Sequence, residues 1–128
     1  MERIELITKL KHVPKNTEVY IWDTSTRQYI DTFFIWEEGH DYRHFIDLDY
    51  LHSKEHKHLN KRYTVGEFIN DLKQTYKRMD QNYANTITVN VNNKKNENTA
   101  NFDLKYKNGK LYLVGRVPNW KLWSKVVK

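Results

Sequence analysis

The residues best suited to chemistry lie in the last third of the chain. Lys105, Lys107, Lys110, Arg116, Lys121, Lys125 and Lys128 alternate there with Tyr106, Tyr112, Trp120 and Trp123. Ammonium and guanidinium groups neutralise phosphates, and flat rings stack on unpaired bases. The pattern therefore points to nucleic-acid binding through Lys105, Lys107, Lys110, Arg116, Trp120, Lys121, Trp123 and Lys125. The plainer reading of Trp120, Trp123 and Val127 is one apolar face of a short terminal helix packed on the domain. Packing is favoured for those tryptophans, and the lysines serve as a binding surface in either case.

A second concentration is rich in histidine. His40, His44, His52, His56 and His58 fall within nineteen residues, interleaved with Asp41, Asp47, Asp49 and Glu55. Imidazole and carboxylate are ligands for zinc and manganese, and an Asp-x-Asp pair can hold a catalytic metal in a nuclease. Against this, His44 sits on an apolar strand face, where a packed histidine is simpler. His52 to His58 occupy a hydrophilic connection in which side chains are solvated. No metal ligands, cofactor or catalytic residues are assigned. His12 or His44 could move protons, but nothing in the sequence brings a second catalytic group to either. Gly39, Gly66, Gly109 and Gly115 are scattered and form no phosphate-binding loop. These absences disfavour an enzyme.

Charge sharpens the first reading. The overall +6 is unevenly placed. Residues 94–128 hold nine Lys or Arg against Glu97 and Asp103, a net of +7, while the rest of the chain is close to neutral. Such asymmetry draws anionic partners. The absence of cysteine excludes disulfides, a thiolate nucleophile and sulfur-ligated zinc. No apolar run approaches the ~20 residues that cross a bilayer, and Met1-Glu2-Arg3-Ile4-Glu5 lacks the core of a signal peptide. A cytoplasmic protein without a membrane partner is expected.

The elements that must position these groups follow from periodicity. Helical spacing predicts a helix over Arg3–His12, stopped by Pro14. Strands are predicted over Glu18–Trp22, Gln28–Trp36 and Tyr42–Leu51, with a hairpin turn at Glu37-Glu38-Gly39-His40. Thr64-x-x-Glu67 is a capping box and opens a helix to about Met79 with Val65, Phe68, Ile69, Leu72 and Tyr76 on its apolar stripe. Strands over Thr86–Asn92, Ala100–Tyr106 and Lys110–Gly115 follow, the last two joined by the Asn108-Gly109 hairpin dipeptide. Residues 52–62 and 93–99 read as connections. The expected fold is α+β: two αβββ halves, about 3–51 and 64–115, in one domain. They form a mainly antiparallel sheet with both helices on one face, followed by a basic amphipathic tail over 116–128. The halves share letters, Glu5-Leu6-Ile7-Thr8-Lys9-Leu10-Lys11 against Glu67-Phe68-Ile69-Asn70-Asp71-Leu72-Lys73, and Asn16-Thr17 against Asn85-Thr86.

The opening Glu5-Leu6-Ile7-x-x-Leu10-Lys11-x-x-Pro14-x-Asn16-Thr17-Glu18-Val19 resembles the start of small uncharacterised proteins of Gram-positive phages and mobile elements. The resemblance covers about fifteen residues and carries no functional residues with it. It implies an accessory protein. The leading expectation is a non-catalytic nucleic-acid-binding accessory protein. The alternative is a protein-binding inhibitor or a homodimer, joined through Tyr20, Trp22, Phe34 and Trp36 on the strand face opposite the core. A metal-dependent nuclease using residues 40–58 is the third reading.

Overall fold

Helix α2 (Val65–Arg78) starts where its capping signal places it. The Glu67 backbone N–H donates to the Thr64 hydroxyl oxygen at 3.3 Å, and that hydroxyl donates to Glu67 Oε1 at 3.0 Å. The box therefore closes between side chains. The first two helical amides, which have no intrahelical acceptor, bond to the preceding turn of the first half. Val65 N–H donates to the Thr17 carbonyl at 2.8 Å and Gly66 N–H to the Lys15 carbonyl at 2.9 Å. Gly66 permits that approach, since a Cβ there would stand 3.3 Å from the Lys15 oxygen. Val65, Phe68, Ile69 and Leu72 are buried along one stripe.

The computed structural model describes residues 1–24, 26–40, 43–50, 59–78, 85–92 and 97–116. The fold is α+β, with two helices and eight strands among the described residues. Besides α2 these are α1 (Arg3–Leu10), β1 (Glu18–Asp23), β2 (Gln28–Ile30), β3 (Phe34–His40), β4 (Arg43–Asp49), β5 (Asn85–Asn92), β6 (Glu97–Thr99), β7 (Phe102–Lys107) and β8 (Lys110–Gly115). In α1, Leu6, Ile7 and Leu10 are buried, while Ile4 turns outward at 64% exposure. Among the described residues no helix is long and apolar enough to cross a membrane.

The strands form two sheets rather than one, in the orders β2-β1-β8-β7 and β3-β4-β5-β6. The cause is a break in the predicted Gln28–Trp36 strand. β2 ends at Ile30, and Asp31 and Thr32 belong to no strand. Phe33 then bridges Lys61, and β3 leaves for the other sheet. Among the described residues each half thus has four strands, not three. The fourth strand of the second half is β6, from a stretch too polar to read as a strand, which pairs along β5 across a register shift between Asn90 and Asn92. Glu37 to His40, expected as a turn, continue β3, paired from Glu37↔Ile46 to His40↔Arg43.

Within each half every strand pair is antiparallel. Between halves the pairs are parallel: β1 with β8, and β4 with β5. Exchanging the halves maps one sheet onto the other. Val19 and Ile21 lie beside Leu111 and Leu113, and Ile87 and Val89 lie beside Ile46 and Leu48. All eight are at most 1% exposed. The entries to the helices match too. Val19 N–H donates to the Tyr63 carbonyl at 3.0 Å, and Ile87 N–H to the Met1 carbonyl at 2.7 Å. Leu6, Ile7 and Leu10 correspond to Phe68, Ile69 and Leu72, as the shared letters suggest. In the strands, however, Glu18 corresponds to Thr86, one residue away from the match of Thr17 with Thr86. Both helices and both sheets share one core, and the helices touch each other.

Tyr63 and Tyr50 are buried at the margins of that core. Tyr63 packs on Phe33 and Phe68, with ring centroids 4.8 and 5.6 Å away, and its hydroxyl donates to Asp71 at 2.9 Å. Burial, then the Asp71 hydrogen bond, pushes its phenol well above the ordinary 10.0. Burial, then the Asp23 charge, does the same to Tyr50. A phenol raised on folding contributes stability that is complete below its unfolded value and is lost as pH rises toward its folded one. The urea midpoint should therefore hold near neutral pH and fall above pH ~10. Tyr63→Phe should remove part of that alkaline loss. Truncation of the core by Phe68→Ala should cost about 3–5 kcal/mol. Thr64→Ala, which deletes the cap, should cost about 1 kcal/mol in the same denaturation assay.

Candidate nucleic-acid interface

The outer face of the first sheet is built by alternation. With Val19 and Ile21 turned inward on β1, Glu18, Tyr20 and Trp22 must turn outward. The same holds for Lys110, Tyr112 and Val114 on β8. The parallel register places Glu18 beside Lys110 and Tyr20 beside Tyr112. The β1–β2 hairpin puts Tyr29 opposite Trp22. The β7–β8 hairpin puts Lys105 opposite Tyr112 and Lys107 opposite Lys110. Its turn is Asn108-Gly109, with φ of 54° and 74°, the left-handed values a two-residue hairpin requires.

The result is a ribbon of four rings across three strands. Trp22 and Tyr29 have centroids 4.7 Å apart, Tyr29 and Tyr112 4.5 Å, and Tyr112 and Tyr20 5.6 Å. Tyr29 is 54% exposed. Lysines border the ribbon. Lys105, Lys107 and Lys110 are exposed, and Lys110 Nζ lies over the Tyr20 ring, 5.3 Å from its centroid. An open cavity of about 500 Å³ lies among Trp22, Tyr29, Tyr112 and Val114 on one side and Lys105, Lys107 and Asn108 on the other. Among the described residues that lining contains no carboxylate or imidazole, the groups that most often hold metals or exchange protons near neutral pH.

Among the described residues, two carboxylates on these strands, Asp103 and Glu18, lie on the same face, and both are engaged. The Arg116 guanidinium grips Asp103, Nε donating to both carboxylate oxygens at 3.0 Å and Nη2 to Oδ1 at 2.5 Å. The fork holds Asp103 below the usual carboxylate range. Arg116 thus offsets Asp103 and leaves the excess charge to the lysines. Tyr20 donates to Glu18 Oε2 at 2.5 Å. That hydrogen bond, more than desolvation, pushes the Tyr20 phenol up to about 12.

The expected site residues fall into three groups. Lys105, Lys107 and Lys110 share one face with Tyr20 and Trp22, although the two sets were expected to serve different partners. Phe34 and Trp36 lie on β3, in the other sheet, with their rings edge-to-face at 6.2 Å. Phe34 is only 5% exposed, so it does not offer the open surface expected of it. The single face of Tyr20, Trp22, Phe34 and Trp36 does not form, because the break at Asp31-Thr32 sends β3 to the second sheet. Trp120, Lys121, Trp123 and Lys125 lie outside the described residues.

The histidine stretch is largely outside them as well. His52, His56 and His58 are not described, nor are the side chains of His40 and His44. Asp47 accepts a short hydrogen bond from the Thr88 hydroxyl on the neighbouring strand. Among the described residues no three His, Asp or Glu side chains converge as a metal site would need.

Sequence reading missed Tyr29, Val114 and Asn108. Hairpin parity would have found Tyr29, since Asp23↔Gln28 puts it across from Trp22. No family model matches the chain, and no curated protein or solved structure shows significant similarity to it.

The Glu18–Tyr20 contact gives a direct check on this face. A phenolate titration followed by NMR should find the Tyr20 midpoint near 12. Glu18→Gln should lower it, because the carboxylate that opposes the phenolate charge is gone.

Proposed function

We propose that the protein is a non-catalytic nucleic-acid-binding accessory protein, and that it takes single strands on the outer face of the first sheet. The observation that carries this reading is the ribbon of Trp22, Tyr29, Tyr112 and Tyr20 bordered by Lys105, Lys107 and Lys110. Rings give unpaired bases a stacking surface worth about 1–3 kcal/mol each, and lysines offset the backbone charge. Neither part alone is specific, since aromatic residues also cover sheets and lysines also solubilise. Their register on adjacent strands favours a ligand that is both aromatic and anionic. A duplex hides its base faces, so it would engage only the lysines and bind more weakly.

The test is fluorescence anisotropy with a labelled oligothymidylate across a salt series. Three phosphate contacts on a single strand predict a slope of about −2 in log K against log salt. Lys105→Ala, Lys107→Ala and Lys110→Ala should each weaken binding and make the slope shallower by about 0.7. Tyr112→Ala should weaken binding about tenfold and leave the slope unchanged. No binding at low salt would refute the reading, because the electrostatic attraction is greatest there.

A further inference from the structure

The cavity on this face has two chemically different ends. Trp22, Tyr29 and Val114 make an apolar, flat-walled end, and Lys105, Lys107 and Asn108 make a cationic and hydrogen-bonding one. Tyr112 lies between them, opposite Lys105. One two-residue step along a strand, about 7 Å, separates Lys105 from Lys107 and Tyr112 from Val114. At about 500 Å³ the cavity lies in the range of a small-molecule site. It does not match the length of a strand crossing four β-strands. A ligand that fits must carry a flat aromatic group and, a few ångströms away, an anion. A nucleoside phosphate has that chemistry in one residue.

The second sheet supplies a comparison within the same molecule. Exchange of the halves sets Thr88, Asn90, Asp47 and Asp49 where the first sheet has Tyr20, Trp22, Tyr112 and Val114. Trp36 stands where the first sheet has Lys105. Two carboxylates therefore occupy the positions of an aromatic ring and an aliphatic side chain, and no lysine replaces Lys105. An anion favoured on the first sheet is repelled from the second. The fold is duplicated, yet the ring-and-lysine arrangement is built only once among the described residues.

Resting on the nucleic-acid reading above, we propose that this cavity is a single-nucleotide subsite, present once per chain. The base lies against Trp22 and Tyr29, and the phosphate lies between Lys105 and Lys107. A free nucleotide and one nucleotide of a longer strand present the same chemistry here, and the experiment separates them.

The full-length chain is titrated by calorimetry with dTMP, thymidine, inorganic phosphate and an oligothymidylate of about a dozen nucleotides, within the usual span of single-strand sites. The subsite predicts that dTMP binds one per chain and displaces the oligonucleotide. Thymidine and phosphate, each filling one end, should bind at least about tenfold more weakly. Tyr29→Ala and Lys105→Ala should each weaken dTMP about tenfold, and both side chains are exposed enough to change without disturbing the core. If the oligonucleotide binds but dTMP neither binds nor displaces it, the subsite is wrong and strand binding stands. If dTMP binds as described and the oligonucleotide does not, the subsite stands and its ligand is a free nucleotide. Unchanged dTMP affinity in both variants overturns the placement, and failure of both ligands to bind overturns both readings.

Discussion

The two parallel strand pairs, β1 with β8 and β4 with β5, are the contacts on which the rest of this structure depends. Among the described residues neither half contains a parallel pair of its own. Each contributes one hairpin to each sheet, so neither sheet exists without both halves. Val19, Ile21, Leu111 and Leu113 meet at one seam, and Ile46, Leu48, Ile87 and Val89 at the other, all essentially excluded from water. Each such side chain contributes about 1.5–3 kcal/mol of burial, and the two seams form the continuous centre of the core. The helix entries follow the same cross-wise logic, since Tyr63 and Met1 each bond to the first strand of the opposite half. A chain joined this way has no stable half to fall back on, and cooperative folding of the whole is the consequence.

How much of this was legible depended on the range of each interaction. Short-range signals were read well. Thr64 and Glu67 mark the start of α2, Asn108-Gly109 marks the β7–β8 turn, and Val19/Ile21 and Ile87/Val89 mark inward faces. Each depends on neighbours a few residues away. The break at Asp31-Thr32 left only a weak local mark, because Asp31 is a single strand-disfavouring residue between Tyr29-Ile30 and the run Thr32 to Trp36. It is tertiary pairing, with Phe33 bonded to Lys61, that redirects the chain. Strand β6 was hidden for the opposite reason. Glu97-Asn98-Thr99 has little intrinsic strand preference and takes its form from β5. Glu37 to His40 read as a turn because of Gly39, but pairing with β4 outweighs that weak preference.

The candidate site shows the same division. Its lysines stood out by charge, and Tyr20 and Trp22 stood out as the outer side of an alternating strand. Assigning them to different partners followed from their distance along the chain. The β1–β8 register, with Glu18↔Lys110 and Tyr20↔Tyr112, joins them, and a parallel pairing between the first strand and β8 leaves no local mark. Arg116 looked like one more free cation. Its carboxylate partner, Asp103, was identifiable in principle, since a hairpin through Asn108-Gly109 sets Phe102 against Gly115 and brings the residues following each together. Counting charges along the sequence overstated this position, because an Arg clamped on Asp103 has little attraction left for a phosphate.

The matching halves also show how the fold accommodates the candidate face. The inward positions of both sheets are interchangeable aliphatic residues, because the shared core constrains them alike. Outward positions carry no such constraint. One sheet accordingly bears Tyr20 and Tyr112 where the other bears Thr88 and Asp47. Half-buried rings on an open sheet face expose apolar surface to water, a cost that polar residues at the equivalent positions of the second sheet largely avoid. The exposed lysines at its border hydrate that surface and give it a positive field, which would favour an anion. An apolar face meant only to pack would be better served by a covering helix than by a fringe of cations. Among the described residues, the combination of half-buried rings and flanking ammonium groups sets the first sheet apart from the second, and the proposed binding rests on it.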